Sequence, residues 1–513
     1  RGDFAAAPNS LWGPLISWLM AAAMSVGASS LAAARAVPVL IGAATLWSVN
    51  RLSKTLDLQS GLRWLYLLTL IPYVLYFSLL GATDDLPLTA LLILYFSIIF
   101  DPRYPDHRFA GALCGVLGGL AYYAKGFALG FFLVHFSVST ALHWFAQREG
   151  QARKRVIRKF AAGMAVFAAL AAIWVAALYQ KYGVVTFGIT GQYNYQIVGP
   201  EAKERPALYV GFVEPPKTTT VSIWEDPAYF YDLPAARQCC LKPWSPFDSG
   251  SAFKHQLLLF KLNFGRTLMT FLSYSPLTLL VAFAALAFCL APLWPSKRKG
   301  PDAPTRGFRA GLENASAAAR RILADPQRFA PTLMLFTIVL YPIPYTLVFS
   351  DERFFWPVLI LFMGLGFYLL TVFFREQAVS RNARLLVAGL FSLSFLAFPA
   401  YTLATGNKAR NETALIAKQL NDPAFAGSSM ASNTDYGASM VVAYYLKAKY
   451  YGSAAPGMSE EAITEDLKRK GIRYYLVWGI PPSERAGMRL SKVVKGSFRP
   501  LSVYEVQTST GSK

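Results

Sequence analysis

Charged residues are scarce in this chain, at 15% of its 513 residues, whereas an average soluble domain carries about 25%. Hydrophobic residues make up 54% of the chain, and the mean hydropathy is +0.34. The few charges are gathered in short clusters that separate long apolar runs. This composition excludes a chain built only of soluble domains and indicates a protein of the lipid bilayer.

Histidine and cysteine are also rare, with four of each. No His-x-x-x-His pair occurs, and no metal-ligand spacing surrounds Cys239 and Cys240, which are adjacent in a polar loop. We therefore predict no metal site, while a metal requirement and the role of these two cysteines stay open. The chain also lacks a phosphate-binding Gly-Lys-Ser/Thr loop and a dinucleotide-binding glycine fingerprint, so nothing supports nucleotide-driven chemistry.

Basic residues give the chain a formal net charge of +21. A nucleic-acid-binding protein would carry them as stripes on soluble elements, whereas here many lie in short loops between apolar runs. The positive-inside rule assigns such loops to the cytoplasm, so we expect membrane lipid, and no nucleic acid, as a partner. The loops lie at 51–54, 103–108, 148–159, 297–328 and 375–384.

The apolar runs are typical of membrane-spanning helices, since about 20 residues cross a bilayer and none shows the alternation of barrel strands. Candidate spans are 34–50, 62–80, 86–100, 109–124, 126–145, 160–179, 271–294, 330–349, 354–374 and 385–404. With the basic loops inside, these spans alternate without contradiction. The outer side then holds Asp84, Asp85, Lys125, the loop 180–270, residues 351–353 and the C-terminal tail.

Two further apolar segments are predicted to lie at the membrane surface. Residues 11–28 would break the alternation as a span, and we interpret them as a juxtamembrane helix on the outer side. Residues 251–270 mix apolar and basic positions and predict an amphipathic interfacial helix. Beyond 405 the pattern becomes that of a soluble α/β domain, with a polar helix at 459–470 and a strand at 472–478.

The predicted domains are therefore an outer segment with a juxtamembrane helix at 1–33, a transmembrane domain at 34–404 and a soluble α/β domain at 405–513. The transmembrane domain includes the extracytoplasmic loop 180–270.

Three outer-side segments carry ionisable residues close to the membrane, where charge is costly and usually functional. Asp84 and Asp85 precede a predicted span, and the alternative role for this pair is to cap that helix. Lys125 lies between two apolar runs and could instead extend to the membrane surface as a snorkelling lysine. Arg353 could form a salt bridge with Glu352. Together, a carboxylate and two cations suit a lipid-phosphate substrate, because the cations bind phosphate and the carboxylate accepts a proton.

Short motifs in these segments resemble bacterial GT-C membrane glycosyltransferases of the protein O-mannosyltransferase and aminoarabinose-transferase type, in an uncharacterised branch of the family 39-like group. The similarity covers most of the membrane part. The matching motifs are NSLWGPL at 9–15, AARAVP at 33–38, TDDL at 83–86, GGLAYYAKG at 118–126 and ERFFWP at 352–357.

The resemblance implies an α-helical polytopic membrane protein of GT-C type with a small C-terminal extracytoplasmic α/β domain, in the bacterial inner membrane. It implies an inverting transfer of sugar from a polyprenyl-phosphate donor to an acceptor hydroxyl of a glycan, lipid or protein, with no cofactor. Asp85 and Asp84 would be catalytic, and Lys125, Arg353 and Arg35 would bind the donor phosphate.

One part of the family pattern lies outside this sequence, which starts at Arg1 without methionine. The family's principal catalytic acid follows its first transmembrane helix, and we expect both to precede Arg1. Two other interpretations stay open: a transporter or flippase for a lipid-linked glycan, and a non-catalytic membrane scaffold.

Overall fold

The computed structural model describes residues 8–79, 83–200, 212, 244–291, 320–455, 457–494 and 500–507. For residues 406–412, 414 and 436 it describes the backbone alone. The chain divides into two compact units. The first is Arg1–Asn194 with Ser249–Thr402, and the second is Tyr195–Asp248 with Leu403–Lys513.

The described part of the chain is mainly helical. Its helices are α1 Leu15–Ser25, α2 Ser30–Thr55, α3 Ser60–Leu79, α4 Asp85–Ile99, α5 Ala110–Ala124, α6 Phe127–Ala146, α7 Gly150–Tyr182, α8 Thr190–Ile197, α9 Gly250–Tyr274, α10 Thr278–Leu290, α11 Pro326–Leu340, α12 Ile343–Leu347, α13 Trp356–Glu376, α14 Arg381–Gln419, α15 Tyr436–Tyr445 and α16 Glu460–Arg469. A 3₁₀ turn, Glu352–Phe355, precedes α13.

Within the residues that the structure describes, seven helical segments are long and apolar enough to cross a membrane. They are α2, α3, α6, α7, α11 with α12, α13 from its 3₁₀ turn, and α14 to Thr405. The predicted fold class is confirmed as a polytopic helical membrane protein with a small C-terminal sheet domain. Helix α1 lies within the predicted juxtamembrane segment 11–28, and its residues Trp18 and Leu19 are exposed.

Two predicted spans, 86–100 and 109–124, are only the short helices α4 and α5. Each has 15 residues, about 22 Å of helix at 1.5 Å per residue, whereas a bilayer core is about 30 Å thick. Twelve of the fifteen residues of α4 are buried, so most of its apolar length contacts protein. A helix buried inside the bundle and a helix that spans the lipid bilayer both require apolar residues. Sequence alone therefore does not distinguish the two cases.

The predicted span 271–294 is wrong as a single helix, because a break at Ser275 divides it. Helices α9 and α10 form a pair bent by 95° at this point. Ser275 is extended, at φ −164° and ψ 137°, as expected of a residue before proline, here Pro276. The predicted interfacial helix 251–270 consequently continues to Tyr274.

The membrane unit is held together where small residues let helices approach closely. A Cβ added to Gly111 would lie 2.1 Å from the carbonyl oxygen of Lys159, and one added to Gly115 would lie 2.2 Å from that of Gly163. A Cβ added to Gly119 would lie 2.6 Å from the side chain of Leu170. The spacing of four residues places the three glycines on one face of α5, where they let α7 pack backbone to backbone.

The C-terminal unit contains a five-stranded mixed sheet with the order β2-β1-β3-β5-β4. Strands β1 Ser429–Ser432, β2 Lys449–Ser453 and β3 Tyr474–Trp478 are parallel, whereas β4 Met488–Val494 and β5 Leu501–Val506 form an antiparallel pair that joins through β5 to β3. Strand β3 is buried along its whole length. The predicted polar helix and following strand are found as α16 and β3.

Candidate functional site

Three distant segments of the membrane unit bring their charged residues together. Asp85 is the first residue of α4, Lys125 follows the last residue of α5, and Arg353 lies in the 3₁₀ turn before α13. The Lys125 ammonium donates a hydrogen bond to Asp85 Oδ1 at 2.5 Å, and Arg353 Nε lies 3.6 Å from Asp85 Oδ2. One carboxylate thus faces two cations, and the roles predicted for these three residues remain predictions.

Lys125 is enclosed rather than extended toward water. Its side chain is only 13% exposed, and its ammonium lies 3.8 Å from the ring centre of Phe354 and 5.3 Å from that of Tyr345. Cation–π contacts of this kind stabilise a desolvated ammonium. In the structure Lys125 is therefore a largely enclosed, paired cation, and the alternative of a snorkelling lysine does not describe it.

Arg353 is more open than its neighbours, because its side chain is 41% exposed while that of Asp85 is 6% exposed. Its Nε is nevertheless buried and has no hydrogen-bond partner within the residues that the structure describes. Asp351 lies 3.8 Å from this nitrogen and also accepts a hydrogen bond from the Arg353 backbone. Arg353 thus combines a fixed backbone with a guanidinium that can still bind a ligand.

Asp84 lies just before α4, but its side chain forms no capping hydrogen bond with that helix. Burial, together with the negative charge of Asp85, raises the pKa of Asp84 to about 7, although Lys125 and Arg353 oppose the shift. The Oγ1 of the preceding Thr83 is also buried without a hydrogen-bond partner in the described segments. A carboxyl that titrates near neutral pH beside two cations is suited to proton transfer.

Glu352 does not form the expected salt bridge with Arg353. Its carboxylate instead accepts hydrogen bonds from Tyr76 at 3.1 Å, Tyr274 at 3.3 Å and Trp356 at 3.0 Å. These donors come from α3, α9 and α13, so Glu352 joins three helices next to the candidate site. The sequence motif included Glu352 but gave no sign of these partners, which lie up to 276 positions away.

Arg35 is not brought into this cluster by any contact that the structure records. It is exposed, near the start of α2. Its proposed role toward the donor phosphate stays a prediction from the resemblance.

Sequence reasoning missed how the motif at 9–15 supports the site. A Cβ on Gly13 would lie 2.2 Å from the carbonyl oxygen of Ala124 and 2.4 Å from that of Tyr123, so only glycine allows this approach to the end of α5. The carbonyl oxygen of Ser10 also accepts a hydrogen bond from Ile189. The motif therefore packs against the residues that precede Lys125, and the requirement for glycine was the available signal.

Among the residues that the structure describes, no group of three or more His, Cys, Asp or Glu side chains is placed to hold a metal ion. The absence of a metal from the mechanism remains a prediction. Cys239 and Cys240 lie outside the described residues, as do residues 201–211 and 213–243 of the predicted loop 180–270.

Comparison with known proteins finds no matching family model and no matching curated protein. Among solved structures, the chain is similar to the archaeal oligosaccharyltransferase AglB from Archaeoglobus fulgidus, in complex with an inhibitory peptide and a dolichol-phosphate. That match has 11% identity and a TM-score of 0.47, covering 91% of this chain and 61% of AglB. The chain thus spans about three fifths of the length of AglB. It is also similar to ArnT from Cupriavidus metallidurans in the apo state, with 14% identity and a TM-score of 0.41, covering 98% of this chain and 90% of ArnT.

Proposed function

We propose that this protein is a GT-C-type glycosyltransferase that moves a sugar from a polyprenyl-phosphate donor to an acceptor hydroxyl, with inversion at the anomeric carbon. The observation that carries this proposal is the convergence of Lys125 and Arg353 on Asp85, with Asp84 beside them. The acceptor is a glycan, a lipid or a protein. The protein lies in the bacterial inner membrane, and its reaction takes place on the extracytoplasmic side, where the C-terminal domain also lies.

The two cations suit the phosphate of the donor. The Arg353 side chain is 41% exposed, and a guanidinium binds phosphate oxygens with more than one hydrogen bond. Lys125 adds a point charge within a largely dry site. As the bond between sugar and phosphate breaks, negative charge grows on the phosphate oxygens, and both cations stabilise that charge.

The two aspartates take separate roles in this mechanism. Asp85 is held between Lys125 and Arg353, so it orients the cations that bind the donor. Asp84, with its pKa near 7, takes the proton from the acceptor hydroxyl. The hydroxyl oxygen then forms a bond to the anomeric carbon on the face opposite the phosphate, and the lipid phosphate leaves with the bonding electrons.

The test is transfer activity in liposomes, using the full-length protein and a polyprenyl-phosphate sugar as donor. We expect Lys125→Ala to lose most activity while it still inserts and folds, because truncating one partner of a buried charge pair costs several kcal/mol, about 2–5. Lys254→Ala is the matched control, since Lys254 is an exposed lysine of α9.

Normal transfer by Lys125→Ala would remove Lys125 from the site. If the wild-type protein instead moves the intact lipid-linked sugar across the membrane and transfers none, the protein is a flippase and the proposed reaction is wrong.

A further inference from the structure

One face of helix α9 is joined to the segment that leads into Arg353. The side chains of Gln256 and Asn263 donate hydrogen bonds to the carbonyl oxygens of Leu347 and Val348, at 2.8 and 3.0 Å. The contact then continues along the segment toward Arg353.

The second half of this contact involves Thr267 and Tyr274. The hydroxyl of Thr267 lies 2.9 Å from the Ser350 hydroxyl. The hydroxyl of Tyr274 donates to the Glu352 carbonyl oxygen at 2.9 Å and also contacts the Glu352 carboxylate. The four side chains thus reach four successive points of the segment 347–352.

The spacing of these four side chains makes them a single seam. They lie at positions 256, 263, 267 and 274, and at about 100° per residue all four fall within about 20° of one line along the helix. We call Gln256, Asn263, Thr267 and Tyr274 the polar seam of α9. Because these hydrogen bonds reach positions 347, 348, 350 and 352 in order, they fix how the segment 347–352 is aligned along α9.

The rest of α9 carries many exposed apolar residues. They are Phe253, Leu257, Leu258, Phe260, Leu262, Phe264 and Met269. These exposed apolar residues suit contact with lipid. The polar seam instead contacts the segment 347–352, which leads into Arg353.

The end of the seam coincides with the buried carboxylate of Glu352. Tyr76 and Trp356 also donate to this carboxylate, and the Trp356 ring stacks on Phe77 with centres 3.9 Å apart. The residue before Arg353 is thus fixed through both its backbone and its side chain, while the Arg353 side chain stays partly exposed. These contacts of Glu352 limit the positions that the Arg353 guanidinium can reach. They do so without occupying any N–H donor of the guanidinium.

We propose that the polar seam of α9 and Glu352 are positioning groups that hold Arg353 at the distance from Asp85 and Lys125 at which a lipid phosphate is bound. The proposal rests on the proposed function for the identity of the ligand. Neither Tyr274 nor Glu352 touches the substrate, and both act through the backbone of residues 352–353. Loosening this backbone weakens phosphate binding because Arg353 must then be ordered when the donor binds.

The variant that tests the seam is Tyr274→Phe, which keeps the ring and removes the hydroxyl. We expect the KM for the polyprenyl-phosphate donor to rise about five-fold, as for a lost hydrogen bond to a neutral carbonyl group, with kcat nearly unchanged. Ser273→Ala is the matched control, because the Ser273 hydroxyl is exposed and bonds to Thr270 of its own helix. Glu352→Gln retains a carbonyl acceptor and should restore part of the affinity lost in Glu352→Ala.

A second measurement does not depend on activity. The melting temperatures of Asp85→Asn, Arg353→Gln and the double variant report the coupling between these two residues. We expect the changes in melting temperature caused by Asp85→Asn and Arg353→Gln to be non-additive in the wild-type background. In the Tyr274→Phe background we expect the same two changes to be additive.

A lower kcat with unchanged KM in Tyr274→Phe, or coupling that persists there, would reduce the seam to a general structural contact and overturn the proposal. Seam-dependent coupling in a protein that uses no polyprenyl-phosphate donor would leave the positioning role intact and refute the proposed function instead.

Discussion

Asp84 and Asp85 are neighbours in sequence with very different surroundings. Asp85 faces two cations within 3.6 Å, whereas Asp84 forms no capping bond and has a pKa raised by burial and by the charge of Asp85. Two carboxyls whose environments differ in this way can divide the work of one site. Sequence alone favoured Asp85 as an acidic active-site residue, because its position matches the family motif, whereas the raised pKa of Asp84 supports our proposal that Asp84 is the base.

We predict that Asp84 makes the protein less stable as the pH rises toward neutral. Its pKa is about 3.8 when unfolded and about 7 when folded, so between these values the folded protein binds more protons and its stability falls as the pH increases. The stabilising contribution is complete below about pH 4 and is lost as the pH passes 7. Asp84→Asn should remove this part of the pH dependence, as measured by the melting temperature in detergent between pH 5 and 8.

The same substitution separates the roles of the two aspartates. If Asp84 is the base, transfer by the wild-type protein increases as the pH passes through about 7, and Asp84→Asn loses this rise together with most of its activity. A wild-type pH profile that persists in Asp84→Asn would show that Asp84 is not the base.

Among the helices, α5 connects packing to the site most directly, because it ends one residue before Lys125. Its glycine face lets α7 approach, and Gly13 packs on its last residues. A shift of α5 therefore moves Lys125 relative to Asp85.

We predict that Gly115→Ala destabilises the protein and weakens donor use. The new methyl group would lie 2.2 Å from the carbonyl oxygen of Gly163, a backbone atom, so the helices must separate, at a cost of about 1–3 kcal/mol for overpacking. Gly130→Ala in α6 is the control, since nothing lies within 4 Å of its added Cβ. Equal melting temperatures for the two variants would contradict the close α5–α7 contact.

Local sequence patterns predict the bounds of single helices better than they predict bends or contacts between distant helices. The segment 126–145 is long and mostly apolar, and α6 matches it within a residue at each end. Pro276 was a sequence signal for the break at Ser275. The apolar residues continue on both sides of it, however, so the pattern predicted one helix where the structure has a 95° bend. The convergence of Asp85, Lys125 and Arg353 followed from predicted sidedness, whereas the partners of Glu352 depend on packing among α3, α9 and α13, which no local pattern encodes.

At the scale of the whole molecule, the basic loops predict one orientation in the membrane. Helix α7 begins with a basic stretch that includes Arg153, Arg155 and Arg158 before its apolar part. The soluble unit separately contains the mixed sheet, with its own buried core. Positive loops on the cytoplasmic side would place this unit outside the cell.

We predict that cysteines introduced at Arg148 and Glu484, both exposed, lie on opposite sides of the membrane. In a background without native cysteines, a membrane-impermeant maleimide added to spheroplasts should label Glu484→Cys, whereas Arg148→Cys should react only after lysis. Labelling of both before lysis, or the reverse pattern, would contradict the orientation on which the extracytoplasmic reaction depends.

The ion cluster around Asp85 has a consequence for product release. After transfer, the lipid phosphate has lost its sugar and carries more negative charge, so it would bind Lys125 and Arg353 more tightly than the donor does. Asp85 already contacts both cations, so its carboxylate can displace the spent phosphate by direct competition and restore the empty site. We expect Asp85→Asn to bind polyprenyl phosphate more tightly than the wild-type protein, and to complete a first turnover before product inhibition stops it.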